Sequence, residues 1–377
     1  MNQRFLISLR NAKFLPKMLV YISFFILIAI LAIQYEFTPF ENGSLLISLI
    51  ILLALLAGFR DENISKDYFN YQYVFDNVYL ITNNNFFYLI SFEPGFIGIV
   101  LFFRKLFESN YGVAIMLFYA FTSLGIKLFA IKKLSINPYL SLLFYFSYFF
   151  LFHEMTQIRI ALASAFFLVS LISFLKGNKL GFIGWILIAT CFHYSAIFYL
   201  FLLIFNTKNL NKSIYLGILI ASLILGVIKL PILNVFGNLD LSDISSKLDN
   251  YIQISENGSI AVNVFNSLNI LNILCCFYLL FAVTKEEFLQ DKKLLLFLKC
   301  NILSIFLLSF LAGAPAFSMR FNQLFSIAQI FLFPYLIRYL PARKFNVFIL
   351  VLISGIFFYV IQIYGGLLNP YKIISLK

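Results

Sequence analysis

Residues 180–205 read LGFIGWILIATCFHYSAIFYLFLLIF. A helix needs about 20 mainly apolar residues to cross the hydrocarbon core of a bilayer, and this stretch exceeds that length. Its flanks decide how it is used. Lys176 and Lys179 precede it and Lys208 and Lys212 follow it, and loops rich in Lys and Arg stay on the cytoplasmic side. A single crossing cannot return the chain to the side it left. Two half-helices of roughly 13 residues, each about 20 Å long at 1.5 Å per residue, meeting near the CFHYSA stretch at 191–196, satisfy both lysine pairs. His193 then sits at the apex, deep in the membrane or near its outer face. A helix broken at membrane depth is tolerated only where it is buried in protein or lines a water-filled cavity.

The rest of the 377-residue chain repeats this composition. It is 62% hydrophobic and 12% charged, with mean hydropathy +0.93, and apolar runs recur from end to end. Backbone amides in lipid must be satisfied within the segment, and the runs are continuous and not alternating, so they are helices and not barrel strands. The expected spans are 18–37, 44–59, 94–107, 111–131, 138–152, 158–175, the broken 180–205, 213–230, 261–283, 293–312, 321–338 and 345–364. The fold class is thus an all-α polytopic membrane protein, with about 11–13 transmembrane helices including the broken pair, forming a single integral membrane domain over 1–377. The start MNQRFLISLRNAKFLPKM carries Arg4, Arg10, Lys13 and Lys17 but no small-residue cleavage site, the pattern of a retained anchor.

Net charge +12 would suggest nucleic acid in a soluble protein. Here Lys132/Lys133, Lys176/Lys179, Lys208/Lys212 and Arg338/Arg343/Lys344 cluster between spans, so no nucleic acid partner is expected. The segment 231–260, with Asp240, Asp243, Asp249 and Glu256 against Lys247, reads as an extracytoplasmic loop. The four cysteines lie in apolar runs without CxxC spacing, which favours neither a disulfide frame nor a metal site.

One polar stretch interrupts the grease: FRDENISKDYF at 59–69, running on to SFEPGF at 91–96. Simple alternation puts 60–93 in the cytoplasm, whereas a non-spanning 94–107 puts 60–110 outside; the residues alone leave both open. Tyr68, Tyr71, Phe75 and Tyr79 recur at helical spacing and share a face. Tyrosine faces with hydroxyl tips suit sugar rings, and the same stripe serves equally as an interfacial anchor. Asp67 opens that helix, and Glu93 precedes Pro94, the residue favoured at a first helical position. Either carboxylate can stabilise a helix start, act as a base or hold a sugar hydroxyl. HEMTQIRIALASA brings His153, Gln157 and Arg159 to the head of a span lined by Ala161, Ala163, Ser164 and Ala165. Small residues permit close helix packing, and a guanidinium there suits phosphate oxygens. Arg320 and Arg60 are two further arginines at span ends. No Gly-rich phosphate loop, HExxH or DxD motif is present.

AGFRDENISKDYFNY at 57–71, then EPGF, QIRIALA and FHYSA, with a late arginine in a polar break, resembles the EpsG-like family of bacterial exopolysaccharide polymerases, related to Wzy-type polysaccharide and O-antigen polymerases. The resemblance runs from about 55 to 330. It implies a GT-C-like membrane glycosyltransferase that polymerises undecaprenyl-diphosphate-linked oligosaccharide repeat units outside the bacterial cytoplasmic (inner) membrane, which favours an extracytoplasmic 60–110. Membrane lipid is a partner, and a flippase and a chain-length regulator are candidate partners. Arg60, Arg159 and Arg320 would stabilise charge on the leaving diphosphate. Asp67, Glu93 or His193 would take the acceptor's proton, while Tyr68, Tyr71, His153 and Gln157 would bind sugars. Diphosphate leaves readily, so no metal or cofactor is called for. A flippase or transporter of lipid-linked oligosaccharides shares the cavity and arginines but is usually built on internal repeats, and none is detectable. A membrane acyltransferase is a third reading.

Overall fold

A computed structural model describes residues 18–39, 43–65, 67–84, 92–205, 209–230, 262–342 and 344–374. The basic N-terminal stretch with its anchor reading, the 231–260 loop, Lys66, Lys208 and Arg343 lie outside the described residues. Among the described residues the secondary structure is helical, the one exception being an isolated antiparallel bridge between Arg60 and Ile373. The chain is an all-α polytopic membrane protein. Among the described residues five helices are long and apolar enough to cross a membrane: Leu19–Phe37, Tyr111–Leu134, Ile158–Leu175, Lys292–Phe310 and Asn346–Tyr364. Five more, Gly43–Gly58, Lys179–Phe192, Tyr194–Ile204, Lys212–Ile228 and Ser267–Ala282, are apolar but shorter.

The long apolar run divides within the expected CFHYSA stretch. Lys179–Phe192 is an α-helix that ends at His193, whose backbone is extended (φ −156°, ψ 111°). The chain then resumes as the helix Tyr194–Ile204, which is 3-10 in type and not α. The tighter winding begins with Ala196 N–H donating to His193 O at 2.8 Å, and eleven residues is long for this geometry. A second expected span, 321–338, is also divided: Pro315–Ser326 stops and Gln329–Tyr339, with Pro334 inside it, begins three residues later.

The described contacts gather into two compact units, 1–200 with 340–377, and 201–339. In the first, Ile158–Leu175 packs against Tyr111–Leu134 on one side and Lys179–Phe192 on the other. Ala161, Ala163, Ser164 and Ala165 are buried in these contacts, as small residues at close helix crossings should be. Gly43–Gly58 crosses Tyr111–Leu134 so closely that a Cβ on Gly58 would stand 3.0 Å from the Leu117 Cα. Helix Pro138–Phe144 continues without a break into a π-helix, Tyr145–Glu154, closed by Met155 N–H to Phe150 O. The chain's end returns to the polar 59–65 stretch. Asp61 N–H donates to Lys372 O at 2.9 Å, Ile374 N–H to Phe59 O at 2.9 Å and Asn369 N–H to Ile64 O at 3.0 Å.

In the second unit Lys292–Phe310 is the central helix, contacted by Lys212–Ile228, Ser267–Ala282, Pro315–Ser326 and Gln329–Tyr339. Three of its buried polar residues, Lys299, Asn301 and Ser304, are paired, with Asn322 donating to Ser304 Oγ at 2.8 Å, while Ser309 Oγ has no hydrogen-bond partner. Asn272 and Asn301 bond each other through their amides, and Lys299 Nζ donates to Asn209 O at 2.9 Å.

Candidate active site

Glu93 is the cap residue of the helix Pro94–Leu106, with proline at its first position, yet its side chain makes no capping hydrogen bond. The carboxylate turns inward and is buried. Oε2 accepts from the Arg159 guanidinium, and Oε1 lies 3.1 Å from His193 Nδ1 and 3.4 Å from the Tyr194 backbone N–H. Tyr194 Oη donates to Phe92 O at 2.9 Å, a second tie between the same two segments. A carboxylate, a guanidinium and an imidazole from three separate elements therefore converge. Burial pushes the Glu93 carboxyl up, but the His193 hydrogen bond and the Arg159 charge outweigh it, and the net direction is down.

Two backbones must come unusually close for this to happen. A Cβ added to Gly95 would stand 2.8 Å from the Cys191 carbonyl oxygen and 3.0 Å from Phe192 Cε1. Glycine is what lets the start of one helix lie against the end of the other.

Arg159 stands at the head of Ile158–Leu175, about a quarter exposed. Its guanidinium lies 5.2 Å from the Phe96 ring centroid and 5.9 Å from that of Tyr71. Asp67 lies within reach of its charge; burial raises the Asp67 carboxyl, and Arg159 opposes that rise. Gln157, two residues earlier, is the cap residue of the same helix. Its Oε1 is buried with no hydrogen-bond partner, as are His193 Nε2 and His153 Nε2.

The structure thus brings Asp67, Tyr71, Glu93, Arg159 and His193 together. Tyr68 and Tyr71 have buried rings, packed in a cluster with Val74, Phe75, Phe96 and Tyr119. They offer a ligand hydroxyl edges and not the ring faces of an open sugar platform. Tyr79 is exposed and lies under Arg104. Arg60 is fully buried, directed at the Ala57 carbonyl, the Met116 sulfur and the Tyr68 ring. It faces protein and not a solvated anion. His153 is fully buried, with Nδ1 3.4 Å from Ser164 Oγ and its ring against Phe149. Arg320 belongs to the 201–339 unit and is exposed on Pro315–Ser326.

The family model that describes the EpsG family matches residues 44–373, which takes in every element of this cluster. The chain belongs to the EpsG family. It is accordingly a multi-pass membrane enzyme of the glycosyltransferase type, with an exopolysaccharide polymerase role. No curated protein and no solved structure matches it.

Several residues around this EpsG-family cluster were not foreseen from sequence. Tyr194 contributes through its backbone N–H, which no side-chain motif announces. Lys127 forms a fully buried ion pair at 2.7 Å with Glu154, an acidic residue that the HEMTQIRIALASA stretch already offered. The signal for Lys127 was there: a lysine inside the apolar run GIKLFA is costly in lipid unless it has a partner. Three of the four cysteines are buried as expected, but Cys191, beside the Gly95 crossing, is exposed.

Proposed function

We propose that this chain joins oligosaccharide repeat units carried on undecaprenyl diphosphate, working at the extracytoplasmic face of the bacterial cytoplasmic membrane. The observation that carries the proposal is Glu93 held between Arg159 and His193. A carboxylate accepts only, so the imidazole proton facing it belongs on Nδ1. That leaves the lone pair on Nε2, the ring atom that is buried without a partner. Glu93 is then the orienting group and His193 the base, the division of labour seen wherever a carboxylate fixes a histidine tautomer. Asp67, half-buried and within reach of the Arg159 charge, is the alternative base.

The acceptor sugar hydroxyl gives its proton to His193 Nε2 as its oxygen bonds to the anomeric carbon of the donor glycan. The bond from that carbon to the diphosphate oxygen breaks, and the electron pair leaves on the lipid diphosphate. Arg159 has N–H donors beyond those used by Glu93. These meet the diphosphate and stabilise the negative charge that grows on it. Gln157 Oε1 and the hydroxyl edges of Tyr68 and Tyr71 accept or donate to sugar hydroxyls, while Arg60 and His153 hold the surrounding packing.

Two measurements test this. Purified chain in detergent, given lipid-linked repeat units extracted from producing cells, should extend glycan, and Arg159→Ala or His193→Ala should abolish extension with insertion unchanged. Wild-type extension by both variants would refute the roles, and transport without extension would make the chain a flippase. For the face, a single cysteine at Asn70, with Cys191 and the buried cysteines replaced, should react with an impermeant thiol reagent on intact cells. Reaction only after permeabilisation would put the site in the cytoplasm.

A further inference from the structure

Arg159 is held by Glu93 in front, and the first turn of its helix is held from behind by a second polar cluster. Lys127, on Tyr111–Leu134, is fully buried. Its Nζ donates to Glu154 Oε1 at 2.7 Å, to Ser123 Oγ at 2.8 Å and to the backbone carbonyl of Ala161 at 2.8 Å. An ammonium has three protons, and all three are used. Glu154 Oε1 also accepts from Ser123 Oγ at 2.8 Å and from Tyr145 Oη at 2.7 Å. Tyr145 and Glu154 are the first and last residues of the π-helix, so the cluster fixes both its ends.

Ala161 lies two residues beyond Arg159, and its own N–H donates to Gln157 O at 3.0 Å. The Lys127 bond therefore grips the turn that presents both Gln157 and Arg159. Glu154 grips the end of the π-helix that leads into the same turn. A pair of this kind is weak evidence of stability, because apolar replacements of similar volume are often neutral, and its best-attested use is to fix register.

We propose that Lys127 and Glu154 are positioning residues for Arg159: the pair sets the height and rotation of the Ile158–Leu175 helix start, and so the place of the guanidinium against Glu93 and the diphosphate. This rests on the role given to Arg159 above. With every proton of Lys127 engaged, the pair is a clamp and not a proton carrier.

The test uses the full chain in detergent with lipid-linked repeat units from producing cells. Variants are Lys127→Met/Glu154→Gln, Arg159→Ala and the combination of all three. The paired replacement leaves no buried charge unpaired. Two readouts are taken: kcat and KM for chain extension, and the rate at which phenylglyoxal modifies Arg159, followed by mass spectrometry. The paired variant should melt at the wild-type temperature and lose at least tenfold in kcat. It should cause no further loss when Arg159 is already alanine, and its Arg159 should react several-fold faster. Wild-type turnover, a loss that multiplies in full with Arg159→Ala, or an unchanged modification rate each overturns the proposal. If Arg159→Ala alone keeps wild-type turnover, the site reading fails instead, and the modification rate still decides whether the clamp positions Arg159. Should the paired variant fail to insert, Ser123→Ala, which removes one contact of the clamp without unpairing a charge, is read by the same two measurements.

Discussion

Replacing Gly95 by alanine adds one methyl group at the point where two helix ends meet. The new Cβ would stand 2.8 Å from the Cys191 carbonyl oxygen, against about 3.4 Å for an ordinary contact. The obstructing atom is backbone, so no rotamer change relieves it, and the helix start must move back by roughly 0.6 Å. Glu93 lies two residues away on the moving segment. Its hydrogen bond to His193, 3.1 Å in the native chain, would lengthen to about 3.7 Å, a separation at which no hydrogen bond remains. Overpacking of this size costs about 1–3 kcal/mol of stability. A sub-ångström misplacement of a catalytic group costs on the order of 10- to 100-fold in turnover. The assay is glycan extension per inserted molecule, with melting temperature alongside. Gly98, one turn further along the same helix, supplies the control, since a Cβ there meets nothing within 4 Å. Gly98→Ala should keep full activity and gain about 0.5–1 kcal/mol from helix propensity. Gly95→Ala within twofold of wild-type turnover would refute the close-approach reasoning and weaken the case for a Glu93-oriented His193.

Arg159→Lys keeps the charge but loses the planar fork that serves Glu93 and a phosphate together; turnover should fall at least tenfold, and a wild-type rate would show that charge alone suffices. Glu93→Gln should lower kcat more than it raises KM, because it disturbs the tautomer of the base and not substrate contact, and the opposite split would make Glu93 a sugar ligand. Asp67→Asn probes a carboxyl that burial holds above its ordinary value. A raised folded pKa means the folded chain binds the proton more tightly, so the penalty on folding builds as the pH rises above the ordinary carboxylate value and is complete above the raised one. Asp67→Asn should therefore raise the melting temperature in detergent at pH 7, and the gain should shrink as the pH falls through the raised pKa toward the ordinary carboxylate value, below which both proteins are neutral at this position. A gain that grows on acidification would contradict the direction of the shift.

Much of the scaffold was legible because lipid leaves so few options. The helix Ile158–Leu175 begins and ends where the apolar run does, and the break falls at His193, inside the CFHYSA stretch where the run was expected to divide. The tyrosine stripe shows where legibility stops. Its helical spacing is real, but the buried face is centred on Val74 and Val78, so Tyr68 and Tyr71 are covered while Tyr79, at the edge, is exposed. Spacing gives a face; it does not say what covers that face. The individual site residues were visible as costly polar groups, and the pairings were not. Glu93 meets a partner 66 residues away and another 100 residues away, and no local pattern encodes such a choice. The 3-10 winding after His193 was likewise hidden, since YSAIFYLFLLI reads equally well as α-helix.

The π-helix makes part of this chain sensitive to length in a way that side-chain chemistry would not suggest. Each residue of an α-helix turns the chain by about 100°, and the i→i+5 ladder of a π-helix turns it by less per residue. Over Tyr145–Glu154 the ladder runs on the wider spacing from end to end. A one-residue deletion here would be relieved by tightening to ordinary winding, leaving a perfectly good apolar helix. The residues beyond it would be carried around the axis, and Glu154 would swing away from Lys127. In this segment a deletion that hydropathy cannot detect would do more harm than many polar substitutions, and alignments of related chains should tolerate gaps almost anywhere sooner than between 145 and 154.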